Sequence, residues 1–259
     1  MAKHTNNNKG FKKKVLVLLS IIIILSIILF VKIKLDEHKE NEMQREVSKI
    51  LDTIDVPKED VTPVVTERML KVKELKQENA DIVGWLEIDG TNINYPVLQG
   101  KDNDYYLKHN YKYEYISTGS IFLDKDYDFN KPSSNLLIYG HRNKVGLMFD
   151  ELVKYKEESF YKEHKTIRFT TADEDAEYEI MSAFKSRVYY KDEKNVFRYY
   201  YFIDAENKEE YDEYVTNSKE VSLYDTGFTA KYGEQLITLS TCDYEVENGR
   251  FVVVAVKRK

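Results

Sequence analysis

The stretch QLITLSTCDYEVENGRFVVVAV, residues 235–256, decides the fold. Gln235 to Ser240 and Phe251 to Val256 are two apolar runs rich in β-branched residues, and the polar segment DYEVENG between them carries turn chemistry. That pattern predicts two neighbouring antiparallel strands joined by a hairpin. Cys242 then ends the first strand and Arg250 opens the second, so a thiol and a guanidinium meet at adjoining strand ends. A strand end holds a side chain rigidly, as a nucleophile requires. A nearby cation favours thiolate and can hydrogen-bond a developing oxyanion.

Working outward, short runs of Ile, Val, Tyr, Phe and Thr separated by turn residues predict strands near 85–89, 92–98, 119–123, 135–140, 166–171, 176–190, 235–240 and 250–257. Asp89-Gly90 is a good tight turn. Seven to nine short strands suggest a closed or nearly closed barrel. Helical spacing predicts a stalk helix over 36–55, a second helix over about 66–83 (Met69, Val72, Leu75, Ile82), and helical interruptions at 147–155 and 206–221. In the last of these, Tyr211, Tyr214 and Val215 share a face fit to dock on the barrel. Pro57 and Pro63 bracket a short linker.

Val15 to Val31 is an apolar run without a charge, interrupted only by Ser20 and Ser26. As a helix at about 1.5 Å per residue it matches the hydrocarbon thickness of a bilayer. Lysines 12–14 precede it and should stay cytoplasmic, which sends everything after Leu35 outside. A cleaved signal peptide is the rival reading, but no small-x-small site follows the run. The implied organisation is a cytoplasmic tail at 1–14, a signal-anchor at 15–35, a stalk and linker at 36–65, and the main domain at 66–259.

All 45 acidic residues lie from Asp36 onward and the net charge is −6, so the body is acidic and nucleic acid is an unsuitable ligand. One Cys excludes an intrachain disulfide and any multi-cysteine metal site, and the five His form no HxxxH pair. Neither metal nor cofactor is expected. Asp124, Asp126 and Asp128 alternate, but no later Gly and bidentate Glu complete an EF-hand loop, so the segment reads as a polar turn.

A cysteine nucleophile needs a proton donor for its leaving amine. His4 and His38 are excluded by topology, His164 sits in a charged, solvated segment, and His109 is a weaker rival. His141 ends the apolar strand Leu136–Gly140, in the same kind of position as Cys242, and is preferred. By residue type alone a lone Cys, a lone His and a strand-initial Arg are also compatible with purely structural roles.

Thr238-Leu-Ser-Thr-Cys242, with Arg250 opening the final strand and Tyr139-Gly-His141-Arg142 upstream, resembles the sortase family and is closest to its class B members. Ile82-Val-Gly-Trp-Leu86, Ile93-Asn-Tyr-Pro-Val-Leu-Gln99, Asp102-Asn-x-Tyr-Tyr-Leu107 and Gly119-Ser-Ile-Phe-Leu-Asp124 extend the resemblance across Thr66 to Lys259. It implies a mainly β fold with added helices (α+β): an eight-stranded barrel, N-terminal helices, and a long helix before the nucleophile strand. It also implies a cysteine transpeptidase of the Gram-positive cell surface. Carried over by motif, Cys242 is the nucleophile, His141 the general acid/base, and Arg250 the group that positions substrate and stabilises the oxyanion. The substrates implied are surface proteins with a C-terminal NPxT[GN]- or [SP]PxTG-like sorting signal, cleaved after Thr, and a peptidoglycan amine that resolves the thioester. Tyr139 and Ser240 match groove-lining positions; Asn94 and Leu98 are expected wall residues. Two other readings stand beside this one. A membrane-anchored binding module with a non-catalytic sortase-like barrel would leave Cys242, His141 and Arg250 apart, and a hydrolytic cysteine protease would share the thioester.

Overall fold

β-Branched and aromatic residues recur through the eight strands: β1 (Ile82–Glu87), β2 (Asn94–Leu98), β3 (Ile121–Leu123), β4 (Asn135–Tyr139), β5 (Thr166–Thr170), β6 (Asp175–Arg187), β7 (Leu236–Cys242) and β8 (Gly249–Lys257). They close into a barrel in the order β1-β2-β3-β4-β7-β8-β6-β5. The pairs β2/β3 and β4/β7 are parallel and the others antiparallel. The computed structural model describes residues 5–57, 65–143 and 146–258. Its helices are α1 (Thr5–Val47), α2 (Ile50–Thr53), α3 (Glu67–Glu78), α4 (Glu158–Glu163) and α5 (Lys208–Glu220).

The chain forms two compact units, Met1–Met43 and Gln44–Lys259. The first is the greater part of α1, an apolar helix long enough to cross a bilayer. In the second, period-two alternation builds two apolar layers from the same strands. Phe251, Val253 and Ala255 of β8 fill the barrel with Ile237 and Leu239 of β7 and Leu136 and Ile138 of β4. Val252, Val254 and Val256 face outward with Leu137 and Leu236, under Tyr211, Tyr214 and Val215 of α5. A strand covered on both faces must read as a continuous apolar run, and that is how 251–256 reads. A third cluster packs Val72 and Leu75 of α3 on Ile82, Trp85, Leu98 and Phe122.

The helical boundaries differ from the periodicity in instructive ways. The helix predicted over 66–83 stops at Glu78, because Asn79 Oδ1 accepts from Asp81 N at 2.8 Å and turns the chain. Ile82 therefore starts β1, opposite Leu98, instead of ending a helix. Thr66 caps α3 by accepting from Met69 N without the acid of a capping box. The stalk helix predicted at 36–55 is continuous with the apolar helix to Val47 and resumes as α2. The stretch 147–155 is a turn, with Met148 at φ 57, leading into a 3-10 helix at Glu151–Lys156. The linker beyond Pro57 to Pro63 lies outside the described residues.

Candidate active site

Strand pairing sets the site. Cys242 and Arg250 are direct partners across β7 and β8. On the other side of β7, parallel β4 puts Tyr139 beside Ser240. The ladder continues one step further, with Gly140 N donating to Ser240 O at 3.2 Å and Thr241 Oγ1 donating to Gly140 O at 2.8 Å. His141 follows immediately. Gly140 has no room for a side chain: a Cβ would come within 2.7 Å of Phe149 and Ile121, so the strand can pack this closely only at glycine. His141, Cys242 and Arg250 thus line one cleft of about 250 Å³.

His141 Nε2 lies 2.8 Å from the carbonyl oxygen of Leu107. A carbonyl can only accept, so Nε2 carries a hydrogen and Nδ1 is the nitrogen left to exchange a proton. Arg250 Nη1 donates to the carbonyls of Gly249 at 2.9 Å and Asn248 at 3.3 Å, which fixes the guanidinium at the hairpin end. Cys242 is half-buried. The floor is polar but satisfied: Ser240 Oγ and Tyr199 OH are 2.7 Å apart, and Tyr214 OH, Thr238 Oγ1 and Asn135 Oδ1 form a buried chain behind them. Burial pushes the Tyr199 phenol well above its ordinary range, against the lowering pull of the Ser240 hydrogen bond and the Arg250 charge. Tyr199 is therefore a neutral wall residue at any physiological pH.

Of the sequence-predicted groove residues, Tyr139 and Ser240 line this cleft. Asn94 and Leu98 are not among the residues that line it. Asn94 Oδ1 accepts from Trp85 Nε1, and Leu98 is completely buried against Trp85 and Phe122. Asn103, Leu107, Val188 and Tyr200 take their place on the cleft, together with Tyr199 and Phe122. The segment Asp102-Asn-x-Tyr-Tyr-Leu107 held the signal for the first two. The rival histidines are engaged elsewhere. His109 stacks on Tyr105 with ring centroids 4.0 Å apart, and His164 Nδ1 meets Asp89 O at 2.7 Å beneath the tight turn at Gly90.

The match to known proteins follows the same residues. A family model described as the sortase domain matches residues 86–258. Sortase B of Listeria monocytogenes is 35% identical over 224 residues, covering 85% of this chain and 86% of that protein. Sortase B of Staphylococcus aureus is 35% identical over 185 residues, covering 71% and 72%. Among solved structures, sortase B from Bacillus anthracis in complex with AAEK1 superposes with a TM-score of 0.71 at 35% identity, covering 87% of this chain and 99% of that one. The Staphylococcus aureus sortase B–substrate complex gives 0.69 at 28% identity, covering 88% and 99%. A closed barrel that sets a cysteine, a histidine and an arginine in one cleft, with relatedness over nearly the whole chain, places this protein in the sortase family as a class B sortase, a cysteine transpeptidase.

Proposed function

We propose that the cleft is the acyl-transfer site, with Cys242 as nucleophile, His141 as general acid and base, and Arg250 as oxyanion donor. The observation that carries this is the strand register: Cys242 faces Arg250 across β7 and β8, and His141 leaves β4 at the same end of the neighbouring parallel strand. Cys242 passes its thiol proton to His141 Nδ1, and the thiolate attacks the carbonyl that follows Thr in a C-terminal sorting signal of NPxT[GN] or [SP]PxTG type. The oxyanion is met by the Arg250 guanidinium, which is held by backbone carbonyls and needs little reorganisation. As the C–N bond breaks, the amine departs with a proton from His141 Nδ1, leaving a thioester on Cys242. A peptidoglycan amine then attacks the thioester, gives its proton back to His141, and releases the thiolate. The surface protein becomes linked to the cell wall.

The apolar helix at the N-terminus supports a single-pass anchor. In this reading the lysines at 12–14 remain cytoplasmic, residues 15–35 span the membrane, 36–65 form the stalk and linker, and the catalytic domain at 66–259 works outside the cell.

Mass spectrometry of the full-length chain in detergent micelles tests the reaction, using LPxTG-, NPxTN- and SPxTG-type peptides with and without a glycine or diaminopimelate amine. The expected result is a thioester on Cys242 from one peptide class that resolves onto the amine. An adduct that persists in Cys242→Ala would overturn the assignment. Release of free acid in the presence of amine would make the protein a hydrolase.

A further inference from the structure

Asp124 has no part in the chemistry above, yet it is only 4% exposed and one of its oxygens ties together two walls of the cleft. It sits one residue past β3, with its backbone N donating to Leu137 O at 2.8 Å and its carbonyl accepting from Gln99 Nε2 at 2.9 Å. Oδ2 accepts from Asn103 Nδ2 at 2.9 Å and from Tyr139 OH at 3.0 Å, while Oδ1 accepts from Asp126 N at 3.0 Å. Asn103 and Tyr139 both line the cleft, and they come from different segments, the β2–β3 connection and the end of β4.

Hydrogen-bond arithmetic fixes both groups. An ionised carboxylate only accepts, so each neighbour must commit a hydrogen to it. Asn103 Oδ1 is occupied by Lys125 N at 2.8 Å, so the amide cannot flip, and its second Nδ2 hydrogen is the polar group it has left to offer along the cleft. Tyr139 turns its hydroxyl into the carboxylate and presents its ring. A charge is costly to bury, and hydrogen bonds that also order two side chains are a reason for one to be kept at this position.

We propose that Asp124 is a positioning residue for the transpeptidation: it locks Asn103 and Tyr139 in the arrangement that holds the peptide backbone for attack by Cys242. The inference rests on reading this cleft as the peptide groove. It predicts an effect on binding without an effect on the nucleophile, because the hydrogen bonds of Asp124 run to Asn103, Tyr139, Asp126, Gln99, Tyr127 and Leu137, and not to Cys242, His141 or Arg250.

The test uses the full-length chain in detergent, an NPxTN-type peptide, and alkylation of Cys242 by iodoacetamide with and without that peptide. Asp124→Asn should raise KM about tenfold, leave kcat within about threefold, and leave alkylation without peptide unchanged. At a peptide concentration that shields wild-type Cys242, the variant should be shielded far less. Tyr139→Phe, which keeps the ring and removes one bond, should raise KM in the same direction. The double variant should raise KM by less than the product of the two single effects, since the variants share the Tyr139–Asp124 contact. Should Asp124→Asn fail to fold, Tyr139→Phe carries the KM test by itself. A fall in the active fraction at unchanged KM would reveal a merely structural role and overturn the inference. Shielding that Asp124→Asn retains would overturn the inference alone. No shielding of the wild type would overturn the groove reading and the inference with it.

Discussion

Arg142 Nη1 lies 3.4 Å from Asp243 Oδ1, so the residues that directly follow His141 and Cys242 are themselves an ion pair. Lys156 Nζ adds a second cation at 2.8 Å from Asp243 Oδ2, and Asp243 is only 3% exposed. The pair staples the exits of β4 and β7, which fixes the separation of the two residues before it. Asp243→Asn takes one acidic partner from each of two partly buried cations, Asp150 remaining with Arg142 and Glu245 with Lys156, and should cost about 1–2 kcal/mol, below the range for a fully broken buried pair because both cations keep a partner and some solvent. The loosened staple should also lower kcat about tenfold. Arg142→Ala should cost less, since Lys156 remains. Denaturation midpoints and kcat of both single variants and the double variant would show coupling of about 1 kcal/mol. Strict additivity would mean the two side chains are independent.

Arg250 Nη1 donates to two backbone carbonyls, which orients the planar guanidinium, so its contribution is one of direction as well as charge. Arg250→Lys keeps the charge and loses the planar guanidinium. Both Arg250→Lys and Arg250→Ala should lower kcat by about 10²–10³, the effect expected of the oxyanion donor proposed above, with a smaller change in KM. Steady-state kinetics with the sorting peptide reads this directly. A lysine variant with wild-type kcat would show that a point charge is enough.

Leu98→Ala should behave as a core variant and not as a groove variant. Leu98 is fully buried between Trp85 and Phe122, so truncation should cost about 2–5 kcal/mol while KM of the folded enzyme stays unchanged. Leu107→Ala, on the cleft itself, should raise KM at a smaller stability cost. Calorimetry paired with KM separates the two, and a raised KM in folded Leu98→Ala would return that residue to the groove.

That contrast shows where the sequence is legible. Strands such as 251–256 are written locally, in unbroken apolar runs and turn residues, and the end of β7 could be located because Cys242 directly follows such a run. Cys242 and Arg250 sit on those strand ends, with His141 two residues past β4, and inherit that clarity. Beside the strand residues Phe122, Tyr139 and Ser240, the walls come from connections, Asn103 and Leu107 before β3 and Val188, Tyr199 and Tyr200 after β6. Their place on the cleft is fixed by tertiary packing, which no local period encodes. The end of α3 was obscured for a related reason: Ile82 fits the helical stripe of Val72 and Leu75, and only the turn at Asn79 assigns it to β1.

Acid should weaken the hairpin that joins Cys242 to Arg250. Glu245, within that hairpin, receives Lys156 Nζ at 2.6 Å and Lys185 Nζ at 2.7 Å. Hydrogen bonds from Lys156 and then Lys185 pull its carboxyl down to about 2 from an ordinary 4.5. A carboxylate whose pKa is depressed by folding contributes stability that is fully present above its unfolded value and is lost as pH falls through its folded value. The window therefore runs from 4.5 down to about 2. Glu245→Gln should be less stable than wild type at neutral pH, and the gap should close across that window. Because the group is exposed, added salt should also narrow the gap. Urea midpoints of both proteins as a function of pH and salt measure it, and a gap that survives intact at the acid end would show that shape, not charge, is what Glu245 supplies.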